Sequence, residues 1–124
     1  MENIKFSNNP QLYNPDSAFV AHLSKVRGKE DLLKQLSDKL KFPDYFGFNW
    51  DALFECLRDF HWIEQQKIVL VHDDLPVLEE KDLHIYLEIL IDAVKTWQDW
   101  KEGEEHSLEV IFPESGKDLK ELYL

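Results

Sequence analysis

The sequence predicts an α/β fold, with a small parallel sheet of about three strands packed with helices. Three observations carry that expectation. Short apolar runs of strand length recur at 17–23, 67–72 and 107–112. Segments with helical apolar spacing lie between each successive pair of runs. Strands joined through helices return in the same direction, so they pair in parallel, with right-handed crossovers. The 124 residues are expected to form a single domain, large enough to bury a core without metal or disulfide support.

Residues 1–16 are polar and turn-rich, with Asn8-Asn9-Pro10 and Asn14-Pro15, and only Ile4-Lys5-Phe6 suggests a short strand. The first clear strand is 17–23, Ser-Ala-Phe-Val-Ala-His-Leu, after which Gly28 breaks the chain. Leu32, Leu33, Leu36 and Leu40 give 29–41 one apolar face, and Pro43 is expected to end that helix by pushing Phe42 out of helical geometry. Asn49 is a good N-cap for a second helix, in which Trp50, Leu53, Phe54, Leu57 and Phe60 recur at helical spacing. Residues 67–72, Lys-Ile-Val-Leu-Val-His, have the continuous β-branched character of a strand buried on both faces. Leu83, Leu87, Leu90, Ile91 and Val94 mark a long helix over 80–101, stopped by Gly103. Residues 107–112 form the last strand before Pro113, and Leu119 and Leu122 suggest a short helix within 113–124.

Composition narrows the function. There are 25 acidic and 14 basic residues, a formal charge of −11 with His neutral. Phosphate binding needs Lys and Arg, so nucleic acid is disfavoured as a direct partner. A basic protein is favoured, because opposite charge speeds encounter, although an acidic surface also serves solubility alone. The single cysteine, Cys56, cannot form an internal disulfide, which suits a reducing cytoplasm. The opening Met1-Glu2-Asn3-Ile4-Lys5 lacks the pattern of a signal peptide, and no apolar run approaches the ~18 residues of a membrane span. No cofactor is expected, and the strong charge of one sign favours a monomer.

The informative stretch is Pro43 to Phe60. At ~100° per residue, Trp50, Leu53, Leu57 and Phe60 cluster on one side of a helix. Asp51, Glu55 and Asp59 form a separate acidic stripe, spaced four apart. Such a stripe suits a cationic partner. It also suits a solvated helix face, with Asp51 placed in the first turn by the helix dipole. Tyr45, Phe46 and Phe48 surround Gly47 just before it, and Gly47 is read as a source of backbone freedom. Some of these aromatics must pack inward, while an exposed Tyr45 would be an anchor of the kind enriched at interfaces.

The run Phe42-Pro43-Asp44-Tyr45-Phe46-Gly47-Phe48-Asn49-Trp50-Asp51-Ala52-Leu53-Phe54-Glu55-Cys56-Leu57 resembles the signature of the barstar family. The resemblance covers about residues 17–112 and leaves 1–16 and 113–124 as extensions. It implies an inhibitor or toxin immunity protein, not an enzyme, that inserts its loop and second helix into the active site of a basic secreted ribonuclease. On that resemblance Tyr45 matches the loop tyrosine that packs on the enzyme, and Gly47 the loop glycine. Asp51 matches a binding aspartate, Phe54 a contacting tryptophan, and Glu55 the central aspartate that stands in for a substrate phosphate. Glu55 and Phe54 depart from the family's Asp and Trp, and Trp50 from a smaller aliphatic residue. A further acidic contact comes in the family from the helix before the last strand, for which Asp99 and Glu102 are candidates.

Other chemistry is weaker. His72-Asp73-Asp74 closes the second strand, where α/β sheets place ligands. A metal reading would add His22, His61, His84 or His106, but no HxH or HExxH spacing occurs, and a turn is the simpler role. Cys56 has no base in its motif and reads as a structural thiol. The four glycines, at 28, 47, 103 and 116, make no phosphate loop. The neighbouring acids Asp73/Asp74 and Glu79/Glu80 are a weak signal for acid–base catalysis. Three readings follow: a nuclease inhibitor, a module of the same fold binding another basic protein, and a small enzyme or metal-binding protein using His72, Asp73 and Asp74.

Overall fold

A computed structural model describes residues 3–99, 105–116 and 118–119. Strands β1 (Ile4–Ser7), β2 (Phe19–Leu23), β3 (Lys67–His72) and β4 (Ser107–Pro113) form a four-stranded sheet in the order β1-β4-β3-β2. All three pairings are parallel, with Val20 beside Val69, Leu70 beside Val110 and Ile4 beside Val110. Helices α1 (Lys29–Lys39), α2 (Trp50–Leu57) and α3 (Glu80–Asp99) supply the helical layer. The expected α/β architecture is therefore present with one strand more than expected, because Ile4-Lys5-Phe6 does pair.

Side chains alternate across a strand, so each sheet face has its own core. Ile68, Leu70, Leu108, Val110, Phe112, Ala21 and Leu23 join the buried residues of the three helices. Val69, Val71 and Ile111 form a second buried cluster on the other face. The strand order explains what covers that cluster. The chain leaves β1 at one edge of the sheet and must reach β2 at the opposite edge. Tyr13 and Ala18, on the connecting segment, pack on the second cluster together with Val20 of β2. A 3-10 turn, Pro10–Leu12, shapes the segment. The Tyr13 hydroxyl donates to the Glu109 carboxylate of β4, and the Tyr13 carbonyl lies 3.0 Å from His22 Nε2. Burial would push the Glu109 carboxyl up, but hydrogen bonds from Lys5 and Tyr13, with the charges of Lys5 and Lys67, hold it below the ordinary range. The Tyr13 phenol is pushed up to about 12, by burial first and then by Glu109. Residues 3–16 are thus integral to the sheet rather than an appendage.

Helix α1 ends earlier than Pro43 requires. Lys41 takes a left-handed φ of 59°, and Phe42 N–H bonds back to the Ser37 carbonyl at 3.0 Å. That is a Schellman stop with lysine where glycine is usual, and it turns Phe42 into the core. Trp62 Nε1 donates to the Leu40 carbonyl at 2.9 Å, and Trp97 Nε1 to the Leu57 carbonyl at 2.8 Å. Each indole satisfies a carbonyl left open at a helix end. Gly103 and Leu122 lie outside the described residues, and only a 3-10 turn, Glu114–Gly116, is described whole after β4.

His72 ends β3 wholly inside the protein. Its Nε2 lies 2.7 Å from the Tyr86 hydroxyl and its Nδ1 3.3 Å from the Ile111 carbonyl. A carbonyl only accepts, so Nδ1 carries the proton and Nε2 accepts from Tyr86. The ring stacks on Phe112 at 4.4 Å. Burial pushes the imidazole down to about 4 from 6.5, partly opposed by the bond to Ile111. The unfolded chain therefore takes up a proton before the folded one does, and stability falls as pH drops from 6.5 towards 4. By pH 5, with carboxylates still mostly ionised, the loss should reach about 2 kcal/mol. Urea unfolding at pH 7 and pH 5 checks it. His72→Gln should be less stable at pH 7 and lose less between the two values, and an equal loss in both proteins would contradict the assignment.

Candidate partner-binding face

The acidic helix is held by local interactions. Asn49 caps α2, its side chain accepting from Ala52 N–H at 2.8 Å. Leu53, Cys56 and Leu57 are buried, which fixes the helix rotation and leaves Asp51 and Glu55 exposed on the opposite side. Neither carboxylate has an ion-pair or hydrogen-bond partner among the described residues. Asp59 is not on the helix, which closes at Leu57. Its carboxylate instead accepts from His61 N–H at 3.2 Å and lies 3.0 Å from His61 Nδ1. It nevertheless remains beside Glu55. Phe60, one residue on, takes a left-handed φ of 51° and turns back into the core.

The loop divides its aromatics. Phe46 is buried, edge-on to Phe42 at 4.8 Å, while Tyr45 and Phe48 are exposed. Tyr45 lines a recess of about 100 Å³ with Phe46, Ala52, Glu55, Cys56 and Asp59. Burial and the nearby Asp59 and Cys56 raise its phenol. Cys56 is pushed up to about 11 by burial, then by Asp59 and Glu55, so it stays a thiol at neutral pH. Gly47, read as a source of backbone freedom, does not take a left-handed φ. That conformation falls on Phe48, at φ 51°. A Cβ at Gly47 would sit 3.1 Å from Asn49 Nδ2, a tight contact that the capping side chain would have to relieve by a few tenths of an ångström.

On the other flank, Glu55, Arg58, Asp59, Thr96, Trp97 and Glu105 line a concavity of about 410 Å³ between α2 and the end of α3. Among the described residues, three carboxylates border it. Arg58 turns its guanidinium onto Phe54, 3.8 Å from the ring centre, so Phe54 is half-buried beneath a cation of its own chain. Trp50 is half-buried too, stacked on Tyr86 at 6.4 Å with Lys29 Nζ 5.0 Å from its ring.

The family comparison joins this geometry to the loop-and-helix signature. A model of the family described as Barstar (barnase inhibitor) matches residues 17–112. The chain belongs to the barstar family. It is also 51% identical over 35 residues to a Bacillus subtilis (strain 168) protein named "Putative ribonuclease inhibitor YrdF". That stretch is 28% of this chain and 36% of the relative, so the chain spans about a third of the relative's length. The barstar signature thus lies on a loop and helix whose Tyr45, Asp51, Glu55 and Asp59 all reach solvent.

The expected last-helix acids fall differently. Asp99 is exposed at the last described residue of α3 but does not line the concavity, and Glu102 lies outside the described residues. Among the described residues near that end of α3, Glu105 borders it. Sequence spacing missed Glu105 because its direction depends on the path between α3 and β4, where no periodicity applies.

His72, Asp73 and Asp74 do not converge. His72 points inward to Tyr86, Asp73 lies 2.7 Å from His22 Nδ1, and Asp74 accepts from Lys25 N–H at 3.2 Å. No group of three or more His, Cys, Asp or Glu among the described residues is placed to hold a metal. No described helix is long and apolar enough to cross a membrane.

Proposed function

We propose that this protein inhibits a basic ribonuclease by seating the 45–59 face in the enzyme's active site. The observation that carries this reading is the pair Asp51 and Glu55, exposed, without a charge or hydrogen-bond partner among the described residues, and four residues apart on the helix that bears the family signature. A centre that binds RNA phosphate must present cations. Carboxylates placed there satisfy those cations as phosphate would, and the bulk of the helix excludes RNA. Tyr45 flanks the acids as an exposed aromatic anchor, and Gly47 keeps the loop close to the helix. Asp59 and Glu105 extend the negative field to one side. Phe54 contributes through Arg58, which caps it. The protein acts without a cofactor, as a monomer in the cytoplasm, where a single buried thiol is stable.

The test is capture on the immobilised protein from extract and medium of the source cells, followed by elution with salt. A basic protein that cleaves RNA once eluted, and is absent when the bait is Asp51→Ala/Glu55→Ala, is the expected result. A captured basic protein with no RNA cleavage would overturn the ribonuclease reading in favour of a binding module of the same fold.

A further inference from the structure

We propose that Phe48 is a specificity anchor for the partner, packing an apolar side chain of the same basic protein against its ring and the recess beside it. This rests on the partner-binding reading of the 45–59 face. Phe48 is 56% exposed although its neighbour Phe46, 4.8 Å away ring to ring, is buried. Its φ of 51° places an aromatic residue in a region that Asn or Gly occupies far more readily. The ring touches Phe46 on one side and leaves its other side to solvent. The ring is not part of the core, and the backbone would be easier for another residue. Strained, exposed aromatics of this kind are expected where a side chain is held out for contact.

Next to the ring lies a recess of about 410 Å³, lined by Phe48, Leu33, Lys29 and Glu30. One cation and one anion cancel on its rim, so it adds no net attraction for a basic surface. What it offers is an apolar floor with room for a side chain. Its occupant follows from size. An ordinary interface covers ~800 Å² on each partner, a patch about 30 Å across. Helix α2 has eight residues and is about 12 Å long. Phe48 is three residues before Asp51, so a partner patch of that width centred on Asp51 and Glu55 is broad enough to reach Phe48. Charge attracts basic proteins in general, and discrimination among them needs shape and apolar fit.

The test compares wild-type protein, Phe48→Asn and Asp51→Ala/Glu55→Ala for thermal midpoint and for affinity to the ribonuclease recovered by salt elution. Phe48→Asn should keep or raise the thermal midpoint, because asparagine accepts the left-handed backbone. It should weaken binding at least tenfold while leaving the salt dependence of association unchanged. That combination separates an anchor from a structural residue. Unchanged affinity for Phe48→Asn, with binding lost in the double carboxylate variant, would overturn the Phe48 inference and leave the acidic face standing. Unchanged affinity in both variants would overturn the face itself. Phe48→Gly repeats the comparison with the backbone wholly relaxed.

Discussion

A chain starting at Ser17 is expected to lose most of its folding stability. The deletion removes β1 and the part of the crossing segment that carries Tyr13, and it leaves Val69, Val71 and Ile111 covered on that face only by Ala18 and Val20. Fully burying one such side chain stabilises by ~1.5–3 kcal/mol, so three of them account for ~4.5–9 kcal/mol as an upper bound, reached only if all three lose their cover. Glu109 would also lose both the Lys5 and the Tyr13 hydrogen bonds while keeping its place on that face. Domains of this kind have ~5–15 kcal/mol in all. The truncated protein should therefore unfold at low urea or be partly unfolded in buffer. Urea curves for the full chain and the truncated chain test this, and coincident midpoints would contradict the structural role given to residues 3–16.

The double variant Asp51→Ala/Glu55→Ala is expected to bind its partner at least a thousandfold more weakly. Truncating one member of a buried charge pair costs ~2–5 kcal/mol, partly because the other charge is left unpaired. Two such losses amount to about 4 kcal/mol or more, and ~1.4 kcal/mol is one decade. Folding should be little affected, because both side chains are exposed and without partners. Exposed substitutions of this kind move stability by under ~0.5 kcal/mol. Replacing Glu79 or Glu80, outside the 45–59 face, is the control and should leave affinity unchanged. A folded double variant with wild-type affinity would remove the carboxylates from the site.

Much of this was legible because it is local. Helical spacing of Leu32, Leu33 and Leu36, the Asn49 cap and the β-branched run 67–72 each declare themselves within a few residues. The acidic helix was legible in the same way, since Leu53 and Leu57 fix which side Asp51 and Glu55 must take. The features that were missed, or read only in part, depend on distant partners. Ile4-Lys5-Phe6 is a strand because β4, more than a hundred residues later, offers it an edge. The Schellman stop at Lys41 and the left-handed Phe48 use residues that sequence rules assign to glycine. Glu105, just before β4, lines the same concavity as Glu55, which no helical or strand period links to it. His72 looks like a ligand at a strand end and is instead a satisfied core group, because Tyr86 of α3 reaches it across the sheet–helix interface.

The proposed inhibition requires the acidic face to occupy the site where RNA is cut. Its most direct test is RNA cleavage by the captured ribonuclease, titrated with this protein at low salt and at several RNA concentrations. Cleavage should fall to zero near one equivalent, RNA should compete with the protein, and the double carboxylate variant should leave the enzyme active. A complex that forms at one equivalent while cleavage continues at full rate would show that the face binds elsewhere on the enzyme.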